Sequence, residues 1–162
     1  MSTLYENYTT GDDSNRAAGG AQWQAQTFTP GSGHTITYVK LKIYRAGSPG
    51  TLTVSIKAVD GSGHPTGADL ASGTIDGNSL TTVSPGLWYQ ITFGAGAALS
   101  ASTKYAIVIR ATTGSLPTNG VIWRRDIAAG AAYPGGNHEI STDSGASWTA
   151  STDDMMFEDW GK

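Results

Sequence analysis

Apolar and polar side chains alternate through much of this chain, most clearly in ITYVKLKIYRAGSPGTLTVSIKAVDGSG, residues 36–63. Successive side chains of an extended strand point to opposite faces, so Val39, Leu41 and Ile43 share one face and Tyr38, Lys40, Lys42 and Tyr44 the other. After GSPG the alternation resumes with Leu52, Val54, Ile56 and Ala58. Two half-buried strands joined as a hairpin are predicted here. Further strands are predicted at AQWQAQTF (21–28), LASGTI (70–75), LWYQITF (87–93), KYAIVIRA (104–111), GVIWRR (120–125), NHEIS (137–141) and MMFEDW (155–160). KYAIVIRA is apolar at both parities, with Tyr105, Ile107 and Ile109 against Ala106 and Val108, the pattern of a central strand covered on both faces.

Turn signals separate these runs: DGSGHPTG, DGNS, SPG, FGAGAALSAS, TGSLPTNG and YPGGN. No stretch sustains the apolar spacing of three and four that a helix needs. The chain is therefore expected to be all-β, with no long helix. Nine or ten short antiparallel strands over residues 1–162 predict a single domain, a two-sheet sandwich of jelly-roll type, with a barrel as the alternative.

Composition agrees with this and narrows the chemistry. Glycine makes up 22 of 162 residues, which suits many tight turns. The absence of cysteine removes disulfides and thiolate zinc sites. The net charge is only -3 and the basic residues are scattered, with Arg124 and Arg125 the one adjacent pair, so no nucleic-acid partner is expected. The opening MSTLYENYTT shows no signal-peptide pattern, and no apolar run is long enough for membrane insertion.

One motif raises the question of sugar cleavage. In STDSGASWT (141–149) the spacing of Ser141, Asp143, Gly145 and Trp148 resembles the Asp-box of sialidases and related β-propellers. That resemblance implies a structural hairpin device, with aspartate accepting backbone hydrogens, glycine at positive φ and tryptophan packed under the loop. There is one copy and no 40-residue repeat, so a propeller is excluded. Over nearly its whole length the chain also resembles the choice-of-anchor β-sandwich modules of phage structural and prokaryotic surface proteins. The resemblance runs through YENYTTGDD, QTFTP, the strands above, VIWRRD, YPGGN and DDMMFEDWG. It implies a display or attachment context and carries over no catalytic residue.

Candidate chemistry is sparse. His34, His64 and His138 each lie in or beside a predicted turn without metal-ligand spacing, and no G-x-S-x-G elbow supports a triad, so no catalytic residue is assigned. Carboxylates gather near the two ends of the chain: Glu6, Asp12, Asp13, and Asp153, Asp154, Glu158, Asp159. If the terminal strands pair, Asp12, Asp13, Asp153 and Asp154 are candidate ligands of calcium, which seeks six to eight oxygens. Trp123, Arg124, Arg125, Tyr133, Asn137 and His138 form a candidate polar-aromatic patch for a sugar or a partner. Trp88, Trp148 and Trp160 read as framework, and framework is also the alternative reading of Trp123. The face bearing Tyr38, Lys40, Lys42 and Tyr44 is a second patch, whose lysines suit either partner binding or protection of a sheet edge. The sequence thus points to a non-enzymatic structural or attachment module on a virion or extracellular surface assembly, self-associating or holding protein partners. A carbohydrate-binding module is the alternative, and a glycan hydrolase is the third reading.

Overall fold

The computed structural model describes residues 1–128 and 133–162. Its strands are β1 (Thr3–Tyr8), β2 (Ser14–Ala18), β3 (Trp23–Phe28), β4 (His34–Ala46), β5 (Thr51–Val59), β6 (Pro65–Asp76), β7 (Leu87–Leu99), β8 (Tyr105–Arg110), β9 (Gly120–Asp126), β10 (His138–Ser141), β11 (Thr149–Ser151), β12 (Asp154–Met155) and β13 (Phe157–Gly161). The one helical element among the described residues is a single 3₁₀ turn, Gly77–Ser79, so none is long and apolar enough to cross a membrane. One sheet runs β1-β13-β4-β9-β12, with β2 also on β9 and β7 on β4; the other runs β11-β10-β3-β8-β5-β6. All pairings are antiparallel, and the two sheets form the predicted sandwich.

The core follows from the alternation. Val39, Leu41 and Ile43 from β4, Leu52, Val54 and Ile56 from β5, and Ile107 and Ile109 from β8 are fully buried together with Phe28, Trp123 and Phe157. Burying each such side chain contributes about 1.5–3 kcal/mol. β8 lies between β3 and β5, and its other face packs Ala106 and Val108 against Ala25, as its apolar pattern predicted.

Three expectations change, and one feature was not anticipated. β4 and β5 are not a hairpin: they lie in different sheets. Both edges of β4 are taken, one by β7 and the other by β13 and β9, so the chain crosses over through Gly47 at φ 56° and β5 pairs with β6 and β8 instead. FGAGAALSAS is not simply a turn, because β7 continues to Leu99, with Ala97 opposite Ile36 beyond an irregularity at Gly94 and Gly96, both at positive φ. β1, β2 and β11 are additional strands, and MMFEDW divides into β12 and β13. Finally, Gln24 and Gln26, with His138, point inward and are fully buried, so the interior has a polar wedge beside its apolar core.

Where the sheets meet along β6 and β7, glycine is required. A Cβ on Gly73 would lie 2.1 Å from the Thr92 carbonyl oxygen.

Candidate functional site

The outer face of the six-stranded sheet carries the most developed site. Ser55 and Lys57 of β5, Arg110 of β8, Trp23 of β3 and Glu139 of β10 project there, opposite to the buried Leu52, Ile107 and Phe28. The β5–β6 ladder pairs Ile56 with Ala71 and then Ala58 with Thr66. Lys57 alone therefore faces the extra residues Gly67, Ala68, Asp69 and Leu70, which bulge over the sheet. Asp69 Oδ2 accepts hydrogen bonds from Ser55 Oγ and Arg110 Nη2, both at 2.8 Å, and Lys57 Nζ lies 3.0 Å from Oδ1. Burial opposes ionisation of this carboxyl, but the bonds from Arg110, Ser55 and Lys57 outweigh it and hold its pKa below the usual range.

The turn between β5 and β6 reaches further. Asp60 Oδ1 accepts from the backbone N–H groups of His64 and Ser62, which hold the Asp60 carboxyl below its ordinary pKa. This fixes a turn whose His64 Nδ1 lies 2.7 Å from Glu139 Oε2. Glu139 is buried and also accepts from Asn137 Nδ2 at 2.9 Å. Because β8 and β3 separate β5 from β10, the His64–Glu139 contact is a clasp across the face. Glu139 thus occupies Nδ1 of His64, and Nε2 has no partner among the described residues.

The opposite wall is the β10–β11 loop. Asp143 Oδ1 accepts from Ser141 Oγ at 2.8 Å and from the Ser147 N–H at 2.9 Å, while Ser141 Oγ accepts from the Gly145 N–H at 2.8 Å. The Asp143 pKa is lowered to about 2, chiefly by its bonds from Ser147. Ser144 and Gly145 have φ of 58° and 83°, a bend that carries the loop back over the sheet. Trp148 then packs with Trp23 and Val59 on the small residues Ala25, Ala106 and Val108.

Between these walls lies a groove of about 500 Å³, lined by Trp23, Lys57, His64, Thr66, Ser147 and Trp148 among others. That size suits a small ligand or a short stretch of a polymer. The two tryptophans differ in what they offer. Trp23 donates its indole N–H to Gly20 O at 3.2 Å and is pressed by Gly145, where a Cβ would come within 2.7 Å of the ring. Trp148 is half-buried, and among the described residues its indole N–H donates to no protein group. The groove thus joins an apolar ring with hydroxyls, an imidazole nitrogen and an indole donor, a set able to stack on a ligand face and bond its hydroxyls.

The residues singled out from sequence fall elsewhere, or fall here in a different role. Trp123 is fully buried and donates to Met156 O at 2.8 Å, so its ring is closed to solvent. Tyr133 is buried edge-on against Phe157, with its hydroxyl donating to Glu6 Oε2 at 2.8 Å. Burial and Glu6 push its pKa upward. His138 lies inside the sandwich, Arg124 and Arg125 are ion-paired, and Asn137 braces Thr27 and Glu139. These six residues do not form one exposed patch, because neighbours along a strand face opposite sides of its sheet.

The four candidate calcium ligands separate in the same way, although β1 and β13 do pair. Asp12 bridges Lys42 and Arg124, whereas Asp153 bonds Arg125, which projects to the opposite face of β9. Asp13 Oδ1 accepts from the Ile127 N–H, and Asp154 is buried, accepting from Gln26 Nε2 and the Tyr133 N–H. Burial pushes the Asp154 pKa upward. Among the described residues no group of three or more histidine or carboxylate side chains could hold a metal ion.

Tyr38, Lys40, Lys42 and Tyr44 do share the outer face of the other sheet, but β4 is flanked on both sides and its lysines guard no edge. Lys40 lies 5.1 Å from the Trp160 ring centroid, and Tyr38 stacks on that ring at 5.8 Å. Sequence reasoning did not find Trp23, Lys57, Asp69 or Arg110; the available signal was the parity of WQAQ and of VSIK, which puts Trp23 and Lys57 opposite the core-facing positions.

No family model and no curated protein matches the chain. Its fold is similar to Cwp84, a surface-layer-associated protein of Clostridium difficile, in a structure of the cysteine protease and lectin-like domains: TM-score 0.62 and 13% identity over 99% of this chain and 36% of that one. A structure of this clostridial cysteine protease after propeptide cleavage gives TM-score 0.62 and 13% identity over 99% of this chain and 40% of that one. The chain thus spans two fifths or less of the chains it matches, and at this identity the likeness is one of fold alone, a two-sheet β-sandwich.

Proposed function

We propose that this chain is a non-enzymatic attachment module of an extracellular surface assembly, and that it holds its target by binding carbohydrate in the groove between the β5–β6 turn and the β10–β11 loop. The observation that carries this is Trp148, a half-buried ring whose indole donor has no partner among the described residues, beside Ser147, Thr66 and His64 in a groove of about 500 Å³. Sugar rings have apolar faces and a hydroxyl rim, and this combination matches both. The likeness in fold to a surface-layer-associated protein with a lectin-like domain supports the same reading. In it, the Ser141–Trp148 hairpin serves as an Asp-box-type clamp that presents Trp148.

Affinity electrophoresis through gels containing soluble polysaccharides, followed by calorimetry on any that retard the protein, tests the proposal. Trp148→Ala is expected to weaken binding about tenfold or more, the loss typical of an aromatic anchor. Trp148→Phe is expected to retain part of it. Retardation that both variants preserve in full would refute this site.

A further inference from the structure

Resting on the carbohydrate reading, we infer that the groove selects neutral glycans and rejects acidic ones. Its charges are committed before any ligand arrives. Lys57 Nζ is used by Asp69 Oδ1 at 3.0 Å and by Gly67 O at 2.8 Å. Arg110 gives Nη1 to Ser55 Oγ and Nη2 to Asp69 Oδ2, both at 2.8 Å. His64 is held by Glu139. Lys57 and Arg110 each already hold the Asp69 carboxylate, so a ligand carboxylate or sulfate would have to compete with it for them.

The anions outnumber these cations. Lys57 and Arg110 are offset by Asp69 and Glu139, while the exposed Asp60, held ionised by backbone N–H groups, and the exposed Asp143, held ionised by the Ser147 hydroxyl and N–H, add further negative charge around the rim. An acidic sugar would therefore meet an excess of like charge and would have to break an internal ion pair to find a cation. A neutral sugar needs neither, since Ser147, Thr66, His64 Nε2 and the Trp148 N–H can exchange hydrogen bonds with hydroxyls. Like-charge juxtaposition is a strong means of discrimination, because it acts against the wrong ligand without strengthening the right one.

The test uses matched oligosaccharides that differ only in oxidation at C6: cello-oligosaccharides against the same oligomers oxidised at C6 to glucuronic acid, and malto-oligosaccharides against their C6-oxidised forms. Binding is measured by calorimetry at low and high salt in the presence of chelator. The neutral member of at least one pair is expected to bind at least about tenfold more tightly than its acidic partner at low salt. Its Kd is expected to change less than about twofold when the charges are screened. Tighter binding of the acidic member, lost in Trp148→Ala and weakened by salt, would overturn the selectivity and leave the groove as a glycan site. Failure of neutral and acidic oligomers alike, across a broad glycan panel, would overturn both.

Discussion

His138 gives the sharpest prediction, because its protonation state follows from its neighbours. Gln24 Nε2 donates to Ala17 O at 2.8 Å, which turns Gln24 Oε1 toward His138. The 2.7 Å contact is then a donation from His138 Nε2, leaving Nδ1 as a bare lone pair. Among the described residues Nδ1 has no hydrogen-bond partner, and Asp153 Oδ2 is 3.6 Å away. Burial, reinforced by the Arg125 charge and only partly opposed by Asp153, lowers the His138 pKa from 6.5 to about 4. The folded protein thus resists a proton that the unfolded chain accepts. Stability from this group is complete above the unfolded value of 6.5 and is lost as pH falls through the window down to about 4. The interval of about 2.5 units at 1.36 kcal/mol each amounts to about 3 kcal/mol, and the side chain is fully buried, so solvent screening takes little from it. Urea unfolding followed by tryptophan fluorescence, from about pH 7 to about pH 4, would compare the native chain with His138→Gln. Carboxylates titrate in both proteins and subtract out. The stability advantage of the native chain is expected to shrink by about 3 kcal/mol across the window. A constant difference at every pH would refute the assignment of a neutral, lone-pair His138.

Other perturbations test other parts of the fold. Gly73→Ala is expected to lower unfolding free energy by about 1–3 kcal/mol, because its Cβ would meet Thr92 O at 2.1 Å; an unchanged urea midpoint would show that the two sheets approach less closely there. Asp69→Asn leaves Arg110 and Lys57 without their counter-charge, and a loss of about 1 kcal/mol is expected for this part-exposed network, shrinking at high salt. Asp143→Ala is expected to speed amide exchange at Ser147 while leaving the core strands protected; equal exchange in both proteins would mean that the carboxylate does not hold the loop.

The strands were legible because alternation reports faces directly: Val39, Leu41 and Ile43, and Ile107 and Ile109, are buried where the pattern puts them. Alternation is silent about neighbours, however. β4 and β5 present the same apolar signature as a hairpin, yet they face each other across the core. β1, β2 and β11 carry little apolar signal and exist because β13, β9 and β10 offer them edges. Within the groove, the hairpin spacing marked Trp148 only as framework and Trp23 was open to the parity of WQAQ, whereas Asp69 meets Lys57 through a register break between Ile56 and Ala58 and His64 meets Glu139 through a turn that reaches across two strands. Those are tertiary events, and no local window contains them. Trp123 and Tyr133 misled for the converse reason: an aromatic beside arginines or a turn reads as exposed until its strand partner assigns it a side.

The buried glutamines bear on alignment. AQWQAQ repeats every second residue, so sliding β3 by two positions would exchange Gln24 for Gln22, and Gln26 for Gln24, without moving any polar residue to the wrong face. What breaks the near-repeat is the set of residues around the glutamines: the slide would put Gln26 where Phe28 is buried in the apolar core and Trp23 where the small Ala25 is buried. In the observed alignment Gln26 donates to Asp154 Oδ1 at 3.0 Å and accepts from the Met155 N–H at 2.7 Å, while Gln24 joins Ala17 to His138. After a slide Gln24 and Gln22 would stand at those sites, but Gln26 would be buried among apolar side chains, at about 1–3 kcal/mol for its unpaired amide. Phe28 and Ala25 thus act as the key that admits one alignment of a repetitive strand, and that alignment sets where Trp23 stands at the groove.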